Sequence, residues 1–276
     1  NGAAYAFLGL CEFGLKDYDR ALQHLLQSRI LGVGDTADLG NVARYHAAIL
    51  MTRMEQFEQA LETLGEFASA GNDNPRVIEA MGLATLRMPM LPAEAPPDRR
   101  EKVLMAGRAS YMMATRNTAA AAKAFEALAA RYPETPNVQY AHGVYLLQEQ
   151  PDQAIDAFKR ELEIQPGHAW SLMQIAFEYL KRSDGQAALP WAQQAVAAAP
   201  NAFPARKALG QAFAAKGLHE KALAEYERVA RSEHRDEQIH FLRAQALSAL
   251  GRSEEAAEAR RQHAAQLKAI RDAARK

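Results

Sequence analysis

Apolar residues fall at helical spacing in successive short stretches separated by polar turns. The pattern predicts helices at about 2–14, 17–31, 41–53, 57–69, 75–88, 99–115, 118–131, 137–148, 152–164, 169–181, 185–198, 203–215, 219–231, 237–249 and 253–271. Within this series small residues recur in register. Gly9, Ala48, Gly82, Ala109, Gly143, Ala176, Gly210 and Ala244 are spaced 39, 34, 27, 34, 33, 34 and 34 residues apart. A second column, one helix later, runs Ala21, Ala60, Ala121, Ala154, Ala188, Ala222 and Ala256. Two helices joined by a tight turn approach closely only where one offers the other a small side chain, so a repeating small residue predicts a repeating helix pair. Phe125, Phe158 and Tyr226, four residues beyond their alanines, supply the next layer, and Pro133, Pro166 and Pro200 mark helix ends one repeat apart.

A unit of this length with these columns resembles the tetratricopeptide repeat family, whose motif runs L-G-x2-Y, then A-x3-F, then P. Leu209-Gly210 with Phe213, the turn residue Gly217, then Ala222 and Tyr226 form the best local match. The resemblance implies an all-α, right-handed superhelical solenoid of antiparallel helix pairs with about 15 helices. It also implies a concave face, lined by the first helix of each pair, that receives extended peptides or helices of partner proteins.

The register breaks in two places. A loop at Gly32-Val33-Gly34-Asp35 lengthens the first unit, and the short step between Gly82 and Ala109 leaves the helix at 75–88 without its usual partner. In the partner's place stands 89–98, with Pro89, Pro92, Pro96 and Pro97, through which no helix is expected to run. The expected organisation is an N-terminal block over 1–88, a proline-rich joint over 89–98, an in-register block over 99–252, and a polar capping helix over 253–276. The cap carries Glu254, Glu255, Glu258, Arg260, Arg261, Lys268, Arg271, Arg275 and Lys276, the charged outer surface that a stack needs at its end.

Lysine plus arginine and aspartate plus glutamate number 33 each, so no net field draws nucleic acid or an acidic membrane surface. Apolar residues make up 49% of the chain, enough for a packed core, and no run is long enough to span a membrane. Cys11 is the single cysteine, which excludes an intrachain disulfide. The alanine- and arginine-rich composition fits a GC-rich bacterial source. The chain begins at Asn1, which leaves a removed signal peptide or anchor open and the compartment undetermined.

Candidate chemistry is sparse. The segment from Gly9 to Asp17 has glycines and Lys16 like a phosphate loop, but an extra leucine precedes the lysine, Asp17 stands where serine or threonine is needed, and the setting is a helix. The histidines, His24, His46, His142, His168, His219, His234, His240 and His263, include no i, i+4 pair and no cysteine at metal-site spacing. Glu161 and Glu163 point to different helix faces. Eight of the nine methionines lie between Met51 and Met113. Packing around the irregular joint, a methionine-lined binding surface and capture of a soft metal are the readings open for them. Neither a cofactor nor a metal is expected, and the chain reads as non-catalytic.

Helix 169–181 has more apolar faces than one contact needs. Leu172, Ala176 and Tyr179 serve packing within the pair, while Trp170, Met173 and Phe177 form a separate stripe. With Gln174 on the same helix, Tyr140 and Val144 one repeat before, and Lys207 and Gln211 one repeat after, they make the candidate peptide groove. Tyr45, His46 and Ile49 are its counterpart in the first block. The stripe reads equally as core between repeats. A chaperone-tail clamp is not expected, because Lys207 is the single well-placed cation. Three functions stand open: a peptide- or protein-binding scaffold, a docking part of a larger enzyme or membrane-associated assembly, and self-association into a homo-oligomer.

Overall fold

The computed structural model describes residues 1–34, 37–231, 236 and 238–273. Of the residues singled out above, Asp35, His234, Arg275 and Lys276 lie outside that range. The described residues form fifteen α-helices and no strand. They are α1 (Gly2–Gly14), α2 (Tyr18–Leu31), α3 (Ala37–Arg53), α4 (Phe57–Ser69), α5 (Pro75–Thr85), α6 (Arg100–Ala114), α7 (Thr118–Arg131), α8 (Val138–Leu146), α9 (Pro151–Ile164), α10 (Ala169–Lys181), α11 (Gly185–Ala198), α12 (Phe203–Ala215), α13 (His219–Ala230), α14 (Ile239–Ala249) and α15 (Ser253–Ala273). Two compact units divide them, Asn1–Gln148 and Glu149–Lys276. The proline-rich segment read from the sequence as a joint lies within the first.

Every member of both small-residue columns is buried. The reason is steric. A Cβ on Gly9 would press into Leu25 and the Ala21 carbonyl, and one on Gly2 would overlap the backbone at Ser28 and Gly32, so α1 and α2 run antiparallel in near contact. On α12, a Cβ on Gly210 would overlap the ring of Tyr226. That ring and those of Phe125 and Phe158 are almost fully buried, as the layer four residues past each alanine requires. Burial alone pushes the Tyr226 hydroxyl well above its ordinary pKa.

The 89–98 segment holds no α-helix, but its prolines seed two 3-10 turns, Pro92–Glu94 and Pro97–Arg99. One expectation needs correcting: α5 is not left without a partner. It packs directly on α6, where a Cβ on Gly82 would overlap the Val103 carbonyl and one on Gly107 the Ile78 carbonyl. Met88, Met90 and Met105 fill the margin of the cluster built from Leu83, Leu86, Val103, Leu128 and Val138, while Met51 and Met81 belong to the core of α1–α5. This is the packing role: unbranched thioethers adapt to irregular gaps. α15 buries Ala256 and Ala259 and turns a charged surface outward, with Arg261 paired to Glu258. At the opposite end of the chain α1 exposes Phe7 and Leu8, and the turn after it exposes Leu15.

The turns share one device. Lys16, Glu55, Arg87, Arg116, Ser183, Gly217 and Gly251 all have positive φ. In each case the next residue's N–H reaches back five positions, as from Asp17 to the Glu12 carbonyl and from Asn117 to the Met112 carbonyl. That closes a helix end with a left-handed residue, which suits glycine. Five of the seven positions carry a side chain instead. Lys16→Gly, Glu55→Gly and Arg116→Gly, at exposed sites outside every ion pair found among the described residues, are each expected to raise stability by about 1 kcal/mol. Urea midpoints measured by circular dichroism check this, and lowered midpoints in all three would refute it.

Candidate functional site

α10 starts where Pro166-Gly167 ends the preceding helix. The His168 ring nitrogen caps it, accepting from the Ser171 N–H at 3.2 Å. At its far end Ser183 makes the left-handed turn, and Asp184 caps α11 by accepting from the Ala187 N–H at 2.9 Å. These caps fix the rotation of α10, and with it which residues face α12.

The stripe divides along the helix. Met173 is core, packed with Leu172, Ala195 and Ala205, and Trp170 lies half-buried against the same cluster beside Trp191. Phe177, also half-buried, packs on that cluster and on the next and lines an open cavity of about 360 Å3 between α10 and α12 together with Gln174, Leu180, Lys181 and Gln211. The Gln211 Oε1 atom is buried and finds no hydrogen-bond donor. A buried acceptor left unmatched costs about 1–3 kcal/mol. Lys181 pairs with the buried Glu178.

Lys207 does not join this cavity. Its Nζ donates to Asp236 at 2.9 Å, with both side chains mostly buried, so its charge is already matched. Tyr140 and Val144 belong to the first unit. Tyr140 is buried, its ring 5.6 Å from the Arg87 guanidinium, and Val144 is half-buried on α8. Of the counterpart set, Ile49 is core. His46 donates from Nδ1 to the Val42 carbonyl at 2.8 Å, while its ring meets Phe13 at 4.8 Å and Tyr45 at 5.6 Å, both edge to face. Burial, then Glu79, hold the Tyr45 hydroxyl above its ordinary pKa. Tyr45 and His46 are therefore occupied by intramolecular packing.

The cavity thus unites Gln174, Phe177 and Gln211 from the sequence-based set and adds Leu180 and Lys181. Lys181 had a signal: Gln174, Phe177 and Lys181 stand at i, i+3 and i+7, on one helix face. Asp236, 29 residues from Lys207, had none. The segment from Gly9 to Asp17 is the end of α1 and its turn, with Gly9 pressed on α2. Among the described residues no three histidine, cysteine, aspartate or glutamate side chains gather into a metal-holding group, and no helix is long and apolar enough to cross a membrane.

Two solved MamA structures share the fold over part of the chain. MamA from Desulfovibrio magneticus RS-1 superposes with a TM-score of 0.56 at 19% identity, over 61% of this chain and 96% of that one. A second MamA crystal structure gives 0.55 at 17% identity, over 59% and 96%. A tetratricopeptide repeat protein from Parabacteroides merdae ATCC 43184 aligns over 96% of this chain and 93% of its own at 15% identity, with a TM-score of 0.49. No curated protein matches the sequence. The profile of one family, ChAPs (Chs5p-Arf1p-binding proteins), matches residues 94–249, more than half of the chain. By that match over α6 to α14, on a tetratricopeptide-like fold, the chain belongs to the ChAPs family.

Proposed function

We propose that this chain is a non-catalytic scaffold that binds a segment of another protein in the cavity between α10 and α12. The observation that carries the reading is the open cavity itself, whose lining sets the apolar Phe177 and Leu180 among the amides of Gln174 and Gln211. The family's description, which names proteins as what its members bind, supports a protein as partner. The chemistry suits an extended segment that lays an apolar side chain on Phe177 and Leu180 and turns a backbone N–H toward Gln211. Catalysis has no support: the residues around the cavity include no nucleophile paired with a base.

The test uses the whole chain. Peptides selected from a random displayed library against the wild-type protein are measured by fluorescence anisotropy against Phe177→Ala and Gln211→Leu. Both variants are expected to weaken the selected peptides at least tenfold while circular dichroism stays unchanged. Peptides that bind both variants as tightly as wild type would place the binding surface elsewhere. Trp170→Ala is expected to act on stability and not on binding, because Trp170 packs on the core cluster without lining the cavity.

A further inference from the structure

A second cavity lies wholly within the first unit, where the end of α5, the start of α6 and the loop before α8 meet. Its volume is about 390 Å3, within the range of pockets that take a ligand. The floor is apolar: Met88 and Met90 lie on the cluster of Leu83, Leu86 and Val103, and Pro136 stands opposite. The rim is cationic. Arg99 and Lys102 line it, and neither has a carboxylate partner among the described residues. Glu134 is the one acid in the lining. The α6 N-terminus, beginning at Arg100, adds its partial positive charge on the same side.

The walls are fixed. The Asn137 side chain donates from Nδ2 to the Leu86 carbonyl at 3.0 Å, tying the start of α8 to the end of α5. Arg87 lies between aromatic rings, 4.7 Å from Phe57 and 5.6 Å from Tyr140, and donates to Glu58 at 2.6 Å, so its own charge is answered. Both Arg87 and Asn137 hold left-handed backbone, and Pro89 and Pro136 stiffen the two loops. A pocket built this way loses little conformational freedom when it is filled.

We propose that this cavity is a second docking site, separate from the α10–α12 cavity, for a peptide segment that carries an apolar side chain flanked by carboxylates. The apolar side chain lies on Met88 and Met90, and the carboxylates face Arg99 and Lys102. The sign follows from the lining: in a chain of zero formal net charge, two cations without carboxylate partners against one acid mark a local preference for anions. The apolar floor selects a peptide over a bare polyanion.

The probe is a fluorescein-labelled peptide of sequence Gly-Asp-Glu-Leu-Leu-Asp-Gly, titrated with the full chain. Saturable binding is expected, weakened at least tenfold by Arg99→Glu with Lys102→Glu, weakened likewise by Met88→Asp, and unaffected by Phe177→Ala. The exposed Arg99 and half-buried Lys102 tolerate substitution, so the double variant is expected to keep the wild-type circular dichroism. A peptide with lysines in place of the acids is expected not to bind. The proposal is overturned if the charge-reversed variant binds equally well, if a peptide with alanines in place of the leucines binds as tightly, or if a single-stranded oligonucleotide binds more tightly than the peptide. Loss of binding in Phe177→Ala alone would assign the peptide to the α10–α12 cavity and overturn it too, leaving that cavity's own function intact.

Discussion

Gly82→Ala, the addition of one methyl group, is expected to destabilise the protein by about 3 kcal/mol, the upper end of the usual cost of overpacking. The methyl would overlap the Val103 carbonyl, which is backbone and cannot rotate away, so α5 and α6 must separate and the apolar cluster between them must open. Gly107→Ala meets the Ile78 carbonyl in the same way. Because both glycines serve one crossing, the double variant should cost less than the sum of the two, since helices already pushed apart admit the second methyl. Gly14→Ala is the control. A Cβ there meets nothing within 4 Å, and alanine favours helix over glycine by up to about 1 kcal/mol. Urea denaturation followed by circular dichroism reads the midpoints, and amide hydrogen exchange shows whether the loss centres on α5 and α6. A wild-type midpoint for Gly82→Ala would mean that the two helices do not touch as described.

Phe158→Ala is expected to cost about 3–5 kcal/mol. The ring is fully buried on α9 in the second unit, and its removal leaves a cavity that neighbouring backbones, held close by the alanine columns, cannot collapse to fill. Phe158→Leu, which restores most of the volume, should recover more than half of the loss. Since a stacked helix pair depends mainly on its neighbours, exchange in α9 and α10 should rise first while α1 to α4 stay protected. A cost below about 1 kcal/mol for the alanine variant would show that the layer four residues past each alanine does not support the stack.

Those two expectations sit on different sides of what the sequence discloses. Phe158 was legible, because its place four residues after Ala154 repeats at Phe125 and Tyr226, and periodic burial leaves a periodic trace. The α5–α6 crossing was not. Its prolines destroy the register that makes the other pairs readable, and Gly107 belongs to neither column, so nothing in the spacing announces that it faces Gly82. Helix ends follow the same logic. α5 stops at Thr85 because Arg87 takes the left-handed conformation, a choice that a glycine would advertise and an arginine conceals.

The candidate site was legible to about the same depth. Phe177, Gln174 and Gln211 follow from helical spacing plus one repeat of offset. Met173 went to the core because an interior first helix touches neighbours on several sides, which spacing along a single helix cannot apportion. Lys207 had its charge answered by Asp236 from beyond the next helix, and a pairing made by the fold across 29 residues leaves no local pattern.

The left-handed turns bear on how such a protein can be handled. Lys16, Glu55 and Arg116 hold a strained backbone at exposed corners, and none of them lines either proposed docking cavity. Their replacement by glycine therefore offers a hardened version of the molecule with its binding surfaces untouched, about 3 kcal/mol firmer if the three sites act independently. Substitutions at Phe177, Gln211, Arg99 or Lys102 made on that background are much less exposed to the objection that a lost partner reflects a lost fold.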